Sequence, residues 1–70
     1  MTYREITRKL RALGCYEVHR RGAGSHRKWV NPNAQLGATF PDWGSRDLKT
    51  GTLRAAIKRL GIDWADFEKA

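Results

Sequence analysis

Gly22-Ala23-Gly24-Ser25-His26-Arg27-Lys28-Trp29-Val30 reads as a tight turn running into a β-strand. Two glycines in three residues supply the positive φ that a short hairpin connection demands. Beyond the turn, side chains alternate between the two faces of a strand. Trp29 is the natural core residue and Arg27 shares its parity, so His26, Lys28 and Val30 are expected on the opposite, uncovered face.

A hairpin needs a strand before it. Tyr16-Glu17-Val18-His19-Arg20 alternates, and the apolar-in rule points Tyr16 and Val18 to the core and Glu17 and His19 outward. Downstream, Asn31-Pro32-Asn33 has turn composition, and Ala38-Thr39-Phe40 is a short third strand stopped by Pro41. Helices flank this meander. Thr2-Tyr3-Arg4-Glu5 fits a capping box, and Tyr3, Ile6, Leu10 and Leu13 then form one apolar stripe up to Gly14, which predicts a helix over about 3–13. Leu53, Ala56, Ile57 and Leu60 make a second stripe, with Thr50 expected as its cap and Gly61 as its stop. Asp63-Trp64-Ala65-Asp66-Phe67 suggests one more short helical turn capped by Asp63, laying Trp64 and Phe67 on the body of the domain. The expected class is α+β in the order α-β-β-β-α, a three-stranded antiparallel sheet with both helices on one face, as in double-stranded-RNA-binding domains. Residues 1–70 are read as a single domain.

Composition narrows the partners. Fourteen Lys and Arg against seven Asp and Glu give a net charge of +7, with a sequence pI near 10.4. That excess attracts polyanions and supplies sequence-independent affinity for nucleic acid; an acidic protein partner fits it as well. Seventy residues leave no room for a cofactor domain. Cys15 is alone, so no internal disulfide forms, and the N-terminal residues lack the apolar run of a signal peptide. The expectation is a soluble, cytoplasmic chain without a membrane span.

Few side chains here carry chemistry. His26 leads, because imidazole gives or takes a proton near neutral pH, and it stands beside a glycine turn and several cations. Cys15, His19 and His26 match no zinc spacing, so no metal site is expected. Gly22-x-Gly24-Ser25 is not followed by the Gly-Lys-Ser/Thr and helix of a P-loop. Arg4, Arg8 and Arg11 on the first helix, and Arg54, Lys58 and Arg59 on the last, either solvate their helix faces or meet phosphates. Trp43, alone in a polar loop, is a candidate for stacking or for packing against a partner.

Three segments in this order and spacing resemble the HicA toxins of type II toxin–antitoxin pairs: Gly24-Ser25-His26, Lys49-Thr50-Gly51-Thr52-Leu53-Arg54, and Leu10-Arg11-Ala12-Leu13-Gly14. The resemblance covers nearly the whole chain. It departs from the family at Thr50, where many relatives carry proline, and in the Trp-bearing loop and tail. It implies a double-stranded-RNA-binding-domain-like fold, an mRNA-cleaving endoribonuclease that arrests translation, inhibition by an acidic HicB-like antitoxin, and no small-molecule cofactor. The family's catalytic histidine maps onto His26. Cleavage without a metal needs a base for the 2′-hydroxyl, a proton donor for the leaving oxygen, and cations for the pentacovalent phosphate. On that reading His26 moves the protons, Lys28 with Arg21 or Arg27 holds the charge, and Gly24 and Ser25 cradle the phosphate. Lys49, Arg54 and Lys58 are expected to contact RNA from the last helix, and His19 is a second candidate if it shares His26's face. The alternative is a non-catalytic basic RNA-binding module.

Overall fold

A computed structural model describes residues 1–19, 21–22 and 24–70; the strand end expected at Arg20 and the turn position at Ala23 lie outside the described residues. Six elements follow in order: α1 Tyr3–Ala12, β1 Tyr16–Val18, β2 His26–Asn31, β3 Leu36–Pro41, α2 Thr50–Arg59 and α3 Trp64–Lys69. The strands form one antiparallel sheet in the order β1-β2-β3, with β2 in the middle. This is the expected α+β meander, consistent with the topology of a double-stranded-RNA-binding domain, with a third helix added at the end.

Local chemistry sets each boundary. At the start of α1 the Glu5 amide donates to Thr2 Oγ1 at 3.4 Å, and the Thr2 amide donates to Glu5 Oε1 at 3.1 Å. At its end, Gly14 with φ +88° lets its own amide bond to Arg11 O and the Cys15 amide to Leu10 O, the paired bonds of a Schellman motif. α2 ends in the same way. Gly61 has φ +71°, its amide reaches Lys58 O, and the Ile62 amide reaches Ile57 O. A Cβ at Gly61 would also lie 2.9 Å from Leu36 Cδ1, so a larger residue there would add to the backbone strain a shift of the exposed Leu36 side chain.

The start of α2 differs from expectation. Thr50 is the first helical residue, and Lys49 occupies the capping position without a side-chain cap bond. A hydroxyl just before an apolar stripe suits the first helical position as well as the capping one, and here the backbone turns helical at Thr50 itself. Asp63 does cap α3, accepting from the Ala65 amide at 2.8 Å.

The core lies between the sheet and the helix layer. Ile6 and Leu10 of α1, Trp29 and Phe40 of the sheet, Leu53, Ile57 and Leu60 along α2, and Phe67 of α3 are all buried there. Asn31 is the one buried amide side chain in this layer among the described residues. Its Nδ2 donates to Leu60 O at 2.7 Å and its Oδ1 accepts from the Asn33 amide at 3.2 Å. One side chain thus closes the C-terminus of α2 and clips it to β2, a bond whose loss leaves a buried carbonyl unpaired at a cost of about 1–3 kcal/mol. Lys9 does the same for α3, its Nζ donating to Glu68 O at 2.8 Å and Ala70 O at 3.0 Å.

The capping box makes a prediction about acid. Bonds from the Thr2 amide, then from its hydroxyl, hold the Glu5 carboxyl below its ordinary pKa of 4.5. A lowered pKa means stabilisation that is complete above pH 4.5 and lost as pH falls through the folded value. Helix content and melting temperature should therefore drop below about pH 4.5. Glu5→Gln keeps the box but cannot titrate, and circular dichroism should record a shallower acid slope for it. An unchanged slope would assign the acid sensitivity elsewhere.

Candidate functional site

The pairing register fixes which side chains share the uncovered face. His26 lies opposite Pro41, Lys28 opposite Thr39, and Val30 opposite Gly37. Across the other edge, Val18 faces Lys28 and Tyr16 faces Val30. Paired residues point to the same side, so the open face carries His26, Lys28, Val30, Tyr16 and Val18.

Two expectations fail here. Tyr16 and Val18 do not face the core; Tyr16 is 52% exposed. Glu17, paired with Trp29, turns inward instead. The apolar-in rule is overridden because Glu17 finds a cation inside: its carboxylate is 3.6 Å from Arg27 Nη1. His19 shares the parity of Glu17, and its Nδ1 lies 3.9 Å from the Glu17 carboxylate. It therefore belongs to the helix side of the sheet, away from His26.

His26 opens β2 and is exposed, and its imidazole makes no hydrogen bond or ion pair with another described side chain. The backbone around it is held firmly. Ser25 O accepts from the Asp42 amide at 2.7 Å, extending the β2–β3 ladder past His26. Gly22 and Gly24 have φ of +76° and +60°, with nothing within 4 Å of where a Cβ would stand. The space beside Gly22 and Gly24 is thus open, and Arg21 and Ser25 are exposed.

Lys28 is half-buried on the open face. Its Cε lies 3.4 Å from where Gly37 would carry a Cβ, so its stem crosses bare backbone. The ammonium consequently leans along the sheet toward Gly37, while the imidazole stands at the other end of the strand.

Arg27 occupies the covered face, as its parity with Trp29 requires. Its Nη2 lies 3.8 Å from Asp42 Oδ2, and its Nε is buried without a hydrogen-bond partner. With Glu17 on one side and Asp42 on the other, this guanidinium ties β1 to the end of β3. Beside it, Trp29 Nε1 donates to Tyr3 Oη at 3.0 Å, and burial raises the Tyr3 pKa above its ordinary value.

The basic helix residues fall into separate places. Lys49 is exposed at the start of α2, where no acidic residue occupies the first turn. The Arg54 guanidinium stacks over Trp64 at 4.7 Å, and Lys58 is exposed in the last turn. Arg4, Arg8 and Arg11 line a depression of about 400 Å³ on α1, in the helix layer. All these helical cations stand on elements across the sheet from the His26 face. Two contributors escaped the sequence reading: Asp42, which pins Ser25, and Arg46, whose guanidinium lies 5.9 Å from the Trp43 ring centroid. The Asp-x-Gly after Pro41 was the available signal for the first, since Asp42 Oδ1 accepts from the Gly44 amide at 3.0 Å.

The site is an exposed histidine on the uncovered side of a small α+β sheet, in a chain of net charge +7. A profile described as the HicA toxin of bacterial toxin–antitoxin systems matches residues 3–62. The chain belongs to the HicA toxin family, the toxin side of a toxin–antitoxin system. No curated protein and no solved structure matches the chain at a significant level. Among the described residues, no helix is long and apolar enough to cross a membrane.

Proposed function

We propose that this chain is an endoribonuclease that cuts mRNA through His26, arrests translation, and is silenced by an acidic HicB-like antitoxin covering the open sheet face. The observation that carries the reading is the placement of His26. It stands exposed on an uncovered sheet, beside a glycine turn with free space in front of it, in a chain of net charge +7.

In the proposed reaction the RNA backbone lies along β2. Gly24 and Ser25 amides, with the Ser25 hydroxyl, receive a non-bridging phosphate oxygen, and Arg21 adds charge from the turn. The His26 imidazole takes the proton of the adjacent 2′-hydroxyl as that oxygen attacks phosphorus. The imidazolium so formed then returns that proton to the 5′-oxygen as its bond to phosphorus breaks, and the products are a 2′,3′-cyclic phosphate and a free 5′-hydroxyl. Lys28 sits about 7 Å further along the strand, two residues on, and serves a neighbouring phosphate in preference to the scissile one. Arg27, engaged by Glu17 and Asp42, acts by holding the strand that carries His26. Lys49, Arg54 and Lys58 contribute attraction to the remainder of the RNA. Val18, Val30 and the exposed ring of Tyr16 give a protein inhibitor an apolar foothold further along the same face as the histidine.

The test is incubation of the purified chain with a labelled single-stranded RNA in EDTA, at rising salt. Fragments ending in 2′,3′-cyclic phosphate are expected, with cleavage falling steeply as salt weakens binding. RNA that is retarded on a gel but stays intact would establish the non-catalytic binding module instead.

A further inference from the structure

Trp43 is 37% exposed, while Trp29 is fully buried. Indole is costly to leave in water, and a floppy loop would explain such exposure. The loop here is tied down throughout. The Asp42 amide donates to Ser25 O, the Gly44 amide to Asp42 Oδ1, and the Arg46 amide to Trp43 O at 3.2 Å. Further on, Asp47 bridges to Thr2, its carboxylate lies 2.9 Å from the N-terminal ammonium, and Leu48 is buried with its amide bonded to Met1 O.

Position matters equally. Trp43 follows Pro41 by two residues, and Pro41 is the register partner of His26. The ring is thus presented from a fixed loop at the His26 end of the sheet. Arg46 stands over one face of it, placing a cation beside an aromatic plane. Base stacking on an aromatic ring with a guanidinium nearby is how proteins hold unpaired nucleotides without reading their edges.

We propose that Trp43 and Arg46 form a nucleotide subsite: the indole stacks on the base of an unpaired ribonucleotide flanking the cleaved linkage, and Arg46 pairs with its phosphate. This rests on the proposed ribonuclease reading and adds that the substrate is single-stranded at that position. A base-paired nucleotide could not offer its face to the ring.

The experiment uses the full chain carrying His26→Ala, so that RNA stays intact, and measures binding of a short single-stranded RNA by anisotropy. Trp43→Leu should weaken binding by about 5- to 150-fold, the range for losing one stacked base, while Trp43→Phe stays within about threefold of the parent. A single abasic nucleotide moved along the RNA should cause a matching loss at one position only, and that loss should vanish in the Trp43→Leu chain. The abasic scan on the unaltered loop needs no change at Trp43, so the idea stays testable should Trp43→Leu misfold. Equal affinity of the Leu and parent chains, or an abasic scan without a sensitive position, overturns the subsite. Loss of antitoxin binding with RNA affinity unchanged overturns it too and makes Trp43 a protein contact. If the His26→Ala parent binds no RNA at all, it is the ribonuclease reading that fails.

Discussion

His26→Ala should remove RNA cleavage and relieve growth arrest, with folding and RNA affinity kept. The size of the loss follows from the role. A positioned acid or base is worth about 10²–10⁴ in rate, and an imidazole serving both proton transfers belongs at the upper end of that range. Stability should scarcely move, because the side chain is exposed and makes no hydrogen bond to another described side chain. Exposed substitutions away from special features change stability by about 0.5 kcal/mol or less, which is at most about 4 °C in a domain of this size. Cleavage assays and thermal melts on the same preparation separate chemistry from folding. His19→Ala provides the control: it lies on the helix side, and its activity should match the parent. Undiminished cleavage by His26→Ala would end the proposed mechanism.

Trp29→Ala should have the largest structural effect of any single change considered. The ring is fully buried in the middle strand, with Arg11 over it at 5.2 Å and its Nε1 bonded to Tyr3 Oη. Removing a buried tryptophan costs about 3–5 kcal/mol. At roughly 0.05–0.15 kcal/mol per residue, the whole domain has only about 4–10 kcal/mol of stability to lose. Circular dichroism should show a melting temperature lowered by more than about 12 °C, or no cooperative transition at all. Trp29→Phe keeps most of the volume and loses the bond to Tyr3, so a drop of about 1–2 kcal/mol is expected. Near-parental melting of the alanine variant would mean that the layer between sheet and helices is held by something other than this ring.

Much of the architecture was legible because its signals are local. Gly14 and Gly61 stop their helices where the stripes end, and Thr2-x-x-Glu5 starts the first one. The parity of β2 was legible as well, since six residues with Trp29 among them leave one sensible way to face. β1 was not. Three residues offer two apolar votes, and those votes lost to an ion pair between Glu17 and Arg27, residues ten apart in sequence. The same failure hid the placement of His19. Thr50 was misread as a cap because a hydroxyl before an apolar stripe suits either the capping position or the one after it. At the site, His26 and its face were readable from alternation. The anchoring of Ser25 by Asp42 was invisible, because it is a backbone bond between segments that meet only in the folded chain.

The sheet has two sides with unequal duties, and this bears on how such a chain diverges. Residues that hold the domain together look toward the helices, so the other side is free to accept replacements without unfolding. A toxin must keep its own inhibitor while escaping those of its relatives. If the proposed reading holds, a recognition surface that drifts independently of the interior would let new pairs arise by a few exchanges around His26.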